Sequence, residues 1–304
     1  MTNFRIGTRG SELALWQAHE VARKLAAEGH GSTIIKVRTS GDQHQNVPLS
    51  SIGGKGLFVK ELEEALARRE IDIAVHSLKD VPSLIPARFV LASFLERADA
   101  RDVWISRHRT PVAELKPGAV VGTSSPRRRA QLLSRFPHLR FDAIRGNIDT
   151  RLNKVREGVV NGIVLACAGL QRLDRLNVVT SYFAVEEMVP AAGQGVIAIE
   201  TRADATHEYE AVTKINHRET EVRARCERGV LQHFGDQIGC DSAIGVHATI
   251  RDRVITLRAV AAGEDGRDSI TVIQCGTDSR SLVRNVFGEL VEKGAMDLLL
   301  AATT

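Results

Sequence analysis

The sequence of 304 residues lacks several features that would assign it to a common class of protein. It contains no run of about 18 apolar residues, so we expect no transmembrane helix. Its first residues, MTNFRIGTRGSELALW, lack the basic and apolar regions of a signal peptide. Both absences favour a cytoplasmic protein without a membrane partner.

Aromatic residues are also scarce. They make up only 4% of the chain, and none lies within the basic runs, which disfavours binding of single-stranded nucleic acid. The net charge of +4 is too small to imply nucleic acid by itself. The nucleotide-binding and hydrolase motifs GxxxxGK[ST], GxGxxG, HExxH and GxSxG are absent as well.

Cysteine and histidine show no metal-site spacing. The four cysteines, Cys167, Cys226, Cys240 and Cys275, form no CxxC pair, so we expect no metal and no disulfide. Cys167 and Cys275 lie in apolar, strand-like runs and are expected to be buried. Cys240 lies in the glycine-flanked segment FGDQIGCDSAIG, which predicts a loop. The pattern alone is consistent with a reactive thiolate or an inert thiol there.

What the sequence contains is an alternation of strand-like and helix-like segments. FRIGTR, SELALWQAHEVARKLAAEG, STIIKVRTS and their successors predict βαβ units with a mostly parallel sheet. A second series begins after residue 100, and the segment VIAIE is expected to return to the first. Roughly the last 85 residues predict an α+β domain, with the antiparallel strands AIGVHATI, RVITLRAV and SITVIQC and one closing helix, SLVRNVFGELVEKGAMDLL.

Polar side chains follow four of the predicted strands. The clusters are Arg9 and Ser11; Ser77, Lys79 and Asp80; Thr123, Ser125, Arg127 and Arg128; and Arg145 with Asn147. Ligands of open α/β sheets bind outside the carboxyl ends of the strands. We therefore expect these clusters to face one another across a cleft between two domains.

The segment TSSPRRRAQ places three arginines at the start of a predicted helix. Ser125 is a natural N-cap and Pro126 suits the first helical position, where free N–H groups favour an anion. Asn147 is positioned to cap the next helix, with Arg151 one turn in. Of the 41 basic residues, 32 are arginine, whose fork binds phosphates and carboxylates alike, although codon bias produces the same excess. A solvated helix face, a phosphate site and a carboxylate site all remain open.

Asp80 is a negative group among these positive ones. It is either ion-paired with Lys79 or an arginine, or it is a carboxylate kept ionised by cationic neighbours. In the second case it can accept N–H hydrogen bonds or stabilise a cation formed in a reaction.

Eight motifs together resemble the porphobilinogen deaminase family, also called the hydroxymethylbilane synthases. In chain order they are IGTRGSELALWQA, GGKGLFVKELE, DIAVHSLKDVP, VGTSSPRRRAQL, IRGNIDTRL, IVLACAGLQRL, PAAGQGVIAIE and CDSAIG. They occur in the order that the family shows, and the stretch after residue 245 is weak in motifs.

The resemblance implies a fold of three domains. Two are α/β domains similar to type II periplasmic binding proteins, and the third is a smaller C-terminal α+β domain with an antiparallel sheet. Domain 1 would comprise residues 1–97 and 196–214, domain 2 residues 98–195, and domain 3 residues 215–304. A monomer is the family expectation.

The resemblance also implies an activity. The family joins four porphobilinogen molecules into the linear hydroxymethylbilane, with release of ammonia, on a dipyrromethane cofactor held by a thioether. By position, Cys240 would be the attachment site. Asp80 would be the catalytic carboxylate, which stabilises the positive charge left when ammonia departs. Porphobilinogen carries an acetate and a propionate, so the arginines would hold pyrrole carboxylates.

Other residues match the binding motifs of the family. The expected cofactor-binding residues are Ser77, Lys79, Asp80, Thr123, Ser125, Arg127, Arg128, Arg145 and Gly146. The expected substrate-binding residues are Arg9, Ser11, Gln17, Arg145 and Arg151. Lys55 and Phe58 match its mobile active-site loop.

Two regions depart from the family pattern, the loop that contains Cys240 and the start of the helix after Ser125. The loop FGDQIGCDSAIG is longer than the usual Gly-Gly-Cys loop and has Ala243 where proline is usual, and Pro126 stands where leucine is common. Two other classes of protein stay open from the residues alone. One is a non-enzymatic anion-binding protein on the same scaffold, which needs neither Asp80 nor Cys240. The other is a nucleic-acid binder that uses Arg127–Arg129.

Overall fold

The computed structural model describes residues 2–39, 59–235, 238 and 242–300 of the chain. The chain divides into two compact units. The first comprises Met1–Ala98 and Gly195–Val222, and the second comprises Asp99–Gln194 and Arg223–Thr304. This division groups the C-terminal residues with the second unit, so the boundaries of the three expected domains stay a prediction.

The described residues form thirteen strands and nine α-helices. The strands are β1 (Asn3–Thr8), β2 (Gly31–Lys36), β3 (Ile73–Ser77), β4 (Phe89–Phe94), β5 (Asp102–Ser106), β6 (Val120–Gly122), β7 (Arg140–Asp142), β8 (Gly162–Ala166), β9 (Ser181–Tyr182), β10 (Ile197–Arg202), β11 (Ile244–Arg251), β12 (Val254–Ala262) and β13 (Ser269–Gly276). The helices are α1 (Glu12–Ala27), α2 (Lys60–Ala67), α3 (Pro126–Arg135), α4 (Ile148–Arg156), α5 (Cys167–Arg172), α6 (Thr206–Thr213), α7 (Arg218–His233), α8 (Ser279–Glu292) and α9 (Ala295–Leu300).

The first unit is built on a five-stranded sheet with the order β2-β1-β3-β10-β4. β1 runs parallel to β2 and β3, whereas β10 runs antiparallel to β3 and β4. The predicted return of the VIAIE segment to this sheet is therefore confirmed. Phe4, Ile73 and Ile199 from the strands belong to the same buried core as Val21 and Leu25 of α1. Burial of each such side chain contributes about 1.5–3 kcal/mol relative to exposure.

The second unit repeats this plan with the order β7-β6-β8-β5-β9. β6 runs parallel to β7 and β8, and β5 runs antiparallel to β8 and β9. Both sheets thus have three parallel strands followed by one strand of opposite direction. In each sheet, that strand comes from the segment where the chain passes between the units. This shared order is what two similar α/β domains predict.

The C-terminal residues form a separate antiparallel sheet, β11-β12-β13. Helix α8 packs on β12 and β13, and α9 packs on β12. Leu257 and Ala259 of β12 are fully buried, as are Val286 and Leu290 of α8. The predicted mixed α/β class with a distinct antiparallel C-terminal domain is confirmed.

Three local predictions need correction. The single closing helix is two helices, because Gly294 adopts a left-handed φ of 90° between α8 and α9. Cys167 is buried as expected, but it begins α5 rather than ending β8. Cys275 lies in β13 but is exposed. Its neighbour Gln274 hydrogen-bonds Glu289 of α8 at 2.6 Å, so the alternation along the strand turns Cys275 to the opposite face.

At Gly245 of β11, this sheet lies very close to the backbone of another segment of the same unit. A Cβ atom there would lie 2.5 Å from the carbonyl oxygen of Val189 and 3.1 Å from that of Pro190. We expect Gly245→Ala to lower the free energy of unfolding by about 1–3 kcal/mol, because backbone must move to relieve the overlap. Thermal unfolding followed by circular dichroism measures this loss.

Gly288→Ala is the matched control in the same domain. Gly288 lies within α8, and a Cβ atom there would meet nothing within 4 Å. This change is expected to stabilise the protein by roughly 0.5–1 kcal/mol, as alanine does inside a helix. If Gly245→Ala were as stable as Gly288→Ala, the close approach would be wrong.

Candidate active site

The first unit contains an open pocket at the carboxyl ends of β1 and β3. Its lining, within the described ranges, includes five side chains that the sequence singles out, together with one that it does not. They are Arg9, Ser11, Gln17, Ser77 and Asp80, and the sixth is His76. The structure therefore brings together residues from two separate motifs.

The local fold explains this convergence. β1 ends at Thr8, so Arg9 and Ser11 lie in the turn before α1, where the Ser11 hydroxyl accepts a 3.3 Å hydrogen bond from the Ala14 N–H. β3 ends at Ser77, and a short 3₁₀ helix, Leu78–Asp80, carries the chain away from the sheet. Leu78 is buried and anchors this turn. Since β1 and β3 are parallel neighbours, the two turns lie at the same edge.

Gln17 fixes the hydroxyl of Ser77. It lies on the buried face of α1, and its Nε2 donates to Ser77 Oγ at 2.8 Å. Asp80 is half-buried at the rim of the pocket. No cationic side chain of the described residues forms an ion pair with Asp80, so the expected pairing with Lys79 or an arginine is not found there.

His76, which lines the pocket, contacts an acidic residue that nothing in the sequence pattern predicts. His76 Nε2 lies 3.0 Å from Glu200 Oε2, and both side chains are buried. Burial, followed by the charge of Glu200, raises the pKa of Glu63 to about 7, against the opposing effects of His76 and Arg88. Glu63 is thus held in its neutral form up to about neutral pH, chiefly by burial and secondly by the charge of Glu200.

The second cluster lies at the carboxyl ends of β6 and β7, within the second unit. Ser125 is the N-cap of α3, with its hydroxyl accepting from the Arg128 N–H at 3.4 Å, and Pro126 is the first helical residue. Thr123 Oγ1 accepts from the Ser125 N–H at 3.2 Å, which orders the turn before the helix. The predicted helix start is confirmed. Free N–H groups at such a start favour an anion.

The neighbouring turn is built in the same way. Asn147 caps α4 by accepting from the Thr150 N–H at 2.8 Å, as predicted. Gly146 has a φ of 107°, a conformation that other residues rarely adopt. Arg151 Nε donates to the Gly146 carbonyl at 2.9 Å, so this arginine supports the turn that carries Arg145.

The three consecutive arginines have different environments. Arg129 is exposed, whereas Arg127 and Arg128 are only 4% and 7% exposed. The interpretation as a solvated helix face is therefore wrong for Arg127 and Arg128. Both form ion pairs with the fully buried Asp102, Arg127 Nη1 at 2.8 Å and Arg128 Nη2 at 2.6 Å.

Asp102 is the residue that the sequence analysis missed. Burial on its own raises the pKa of this carboxyl, but the charges of Arg127 and Arg128 and their hydrogen bonds hold it well below its ordinary value. The signal in the sequence is slight: an acidic residue opens the apolar strand DVWIS, directly after an arginine that offers an obvious partner. Arg101 in fact pairs with Asp99, at 2.6 Å.

Some predicted residues cannot be placed. Lys55, Phe58 and Cys240 lie outside the described residues, so their roles stay predictions. Among the residues that the structure describes, no group of three or more histidine, cysteine, aspartate or glutamate side chains is placed to hold a metal ion. Within the same ranges, no helix has the length and apolar character needed to cross a membrane.

The fold and the two clusters are those of a two-unit α/β protein with anion-binding groups at its strand ends. A family model described as "Porphobilinogen deaminase, dipyromethane cofactor binding domain" matches residues 4–210. The chain belongs to the porphobilinogen deaminase family. The expected transferase of tetrapyrrole biosynthesis and the expected dipyrromethane cofactor are thereby confirmed.

Relatives match over almost the whole chain. A porphobilinogen deaminase of Desulfitobacterium hafniense is 40% identical over 98% of this chain and 97% of its own length. Those of Chromobacterium violaceum and Pelobacter propionicus are 41% and 45% identical, over 99% and 88% of this chain and 98% and 86% of their own lengths. The solved methionine binding protein MetQ covers 70% of this chain and 89% of its own, with a TM-score of 0.45 at 11% identity.

Glu63 gives the first unit a pH-dependent stability. Its pKa is raised to about 7, against an ordinary value near 4.3 in an unfolded chain. Between these values the folded state binds more protons than the unfolded state, so the free energy of unfolding falls as pH rises through this window. Glu63→Gln is expected to gain roughly 1 kcal/mol, or about 2–4 °C, at pH 8 and nothing near pH 4.5.

Thermal unfolding across this pH range measures the effect. Glu70→Gln is the control, because Glu70 forms an ion pair with Arg68 at the surface of the same unit and should show no gain at pH 8. Parallel pH profiles for Glu63→Gln and the unmodified protein would contradict the assignment.

Proposed function

We propose that this transferase is a hydroxymethylbilane synthase. It joins four porphobilinogen molecules head to tail on a covalently bound dipyrromethane primer, with loss of ammonia at each addition, and then releases the linear product by hydrolysis. Membership of the porphobilinogen deaminase family, whose model covers residues 4–210, carries this proposal.

The chemistry of the second cluster fits the primer. Its pyrrole rings carry carboxylate side chains, and the cluster offers buried arginines, a capped helix start and a glycine turn. Arg127 and Arg128 share one internal carboxylate, which leaves a surplus positive charge to attract a carboxylate of the ligand. The residues that would hold the primer are Ser77, Lys79, Asp80, Thr123, Ser125, Arg127, Arg128, Arg145 and Gly146. When bound, it supplies the pyrrole carbon at which the chain is extended.

Substrate carboxylates are assigned to Arg9, Ser11, Gln17, Arg145 and Arg151. Arg9 and Ser11 support this assignment because they line the same pocket as Asp80. Gln17 acts through Ser77, to which it donates a hydrogen bond, and Arg151 acts through the Gly146 turn. Lys55 and Phe58 are assigned, by their match to the family motif, to the active-site loop.

Asp80 is the proposed catalytic group. Positive charge develops on the pyrrole ring when the aminomethyl group of porphobilinogen loses ammonia. An ionised carboxylate that accepts a hydrogen bond from the ring N–H stabilises this charge. Asp80 suits the role, because it lines the pocket and is half-buried, and no described residue neutralises it with an ion pair.

Asp80→Asn and Asp80→Ala test this role. Each removes the negative charge, so turnover of porphobilinogen is expected to fall by at least about a hundredfold while the melting temperature is retained. Asp204→Asn, at an exposed ion pair with Arg69, is the control and should keep normal turnover. Near-normal turnover in Asp80→Ala would falsify the catalytic assignment.

Cys240 is the proposed thioether anchor of the primer. We expect the intact mass of the purified protein to exceed the sequence mass of 33.2 kDa by two linked pyrrole units, and the excess to be absent in Cys240→Ser. Cys275→Ser, which changes an exposed thiol of the sheet, should retain the excess. An excess that persists in Cys240→Ser, or no excess even after incubation with porphobilinogen, would overturn this anchor.

The enzyme is further proposed to act as a monomer in the cytoplasm, without nucleic acid. A native mass near 33.2 kDa in light scattering would support the monomer, and a multiple of that mass would refute it.

A further inference from the structure

Asp102 lies at the centre of a polar network inside the second unit. It opens β5, a strand paired on both sides by β8 and β9, and its side chain is 0% exposed. Its Oδ1 accepts from Arg128 Nε at 3.0 Å, from Arg128 Nη2 at 2.6 Å and from Gln194 Nε2 at 3.0 Å. Its Oδ2 lies 2.8 Å from Arg127 Nη1. One carboxylate thus fixes two guanidinium groups.

Backbone groups hold the same two arginines from the other side. Arg128 Nη1 donates to the Val164 carbonyl at 3.0 Å, and Arg127 Nη1 donates to the Val189 carbonyl at 2.8 Å. Gln194 is fixed in turn, because its Nε2 also donates to the Ala100 carbonyl at 2.7 Å. The guanidinium groups therefore have a defined orientation before any ligand arrives.

The charges of this network do not balance. Two guanidinium groups face one carboxylate, so the cluster buries one surplus positive charge. An uncompensated buried charge is costly, and the cost falls when an anion pairs with it. The directions of the pKa shifts agree with this imbalance. The two arginines lower the pKa of Asp102 against the effect of its burial. Burial and the charge of Arg128 lower the pKa of Arg127 against the effect of Asp102.

We propose that Asp102 is a positioning residue for the primer: it holds Arg127 and Arg128 together with one surplus positive charge, which a single pyrrole carboxylate balances. This inference rests on the proposed function. Asp102 itself is buried behind the arginines and does not contact the ligand. Without it, the two guanidinium groups repel each other and lose their common orientation.

Asp102→Asn tests the inference, because it keeps the shape of the side chain and removes the charge. Each variant is purified as a folded species, and intact mass gives the fraction that carries the primer after incubation with porphobilinogen. We expect this fraction to fall at least tenfold relative to the unmodified protein. Asp102→Glu keeps the charge and displaces it by one methylene. Its primed fraction should therefore lie between those of Asp102→Asn and the unmodified protein.

Asp99→Asn is the matched control. Asp99 lies three residues before Asp102 and forms a partly exposed ion pair with Arg101. It should carry the primer as the unmodified protein does. A purely structural Asp102 would lower the melting temperature of Asp102→Asn but leave the primed fraction of its folded molecules unchanged, and that result overturns the inference. If Asp102→Asn does not fold, a normal primed fraction in Asp102→Glu overturns it instead.

The same measurement separates this inference from the proposed function. If the unmodified protein gains no pyrrole mass from porphobilinogen, the proposed function itself fails. If the unmodified protein is primed and Asp102→Asn is primed equally, only the role of Asp102 fails.

Discussion

Parallel strands end at a common edge of their sheet, and this constraint places the functional side chains in both units. In the first unit, β1 and β3 bring Arg9 and Asp80 to one pocket although 70 residues of chain separate them. In the second, β6 and β7 bring the Ser125 helix start beside the Gly146 turn. Each strand end is followed by a turn into a helix, so the same edge also collects free N–H groups that favour anions.

The two units bury charge in opposite ways. The second unit buries two arginines around Asp102 and retains a positive surplus. The first unit buries Glu200 against His76, with Glu63 held neutral nearby up to about pH 7. The second unit therefore offers a carboxylate ligand a surplus of positive charge. The pocket of the first unit offers hydroxyl groups, Arg9 and the carboxylate of Asp80.

Sequence reasoning succeeded where the signal is local. The N-caps Ser11, Ser125 and Asn147 were predictable, because a capping side chain bonds an N–H three residues away. It failed where tertiary contacts decide. Asp102 follows an arginine in sequence, yet its partners lie 25 and 26 positions further on, and only the sheet brings them together. The break between α8 and α9 depends on the left-handed conformation of Gly294, which a glycine within a helical pattern does not predict.

Asp80 and Asp102 show why residue type alone does not define a role. Both follow or open a buried strand and both lie near arginines of the binding motifs. Asp102 is fully buried against Arg127, Arg128 and Gln194, so its carboxylate is not exposed to a ligand. Asp80 is half-buried at a pocket rim, and no described residue pairs with it. The first carboxylate can only organise its two arginines, whereas the second is placed to respond to charge that develops in the pocket.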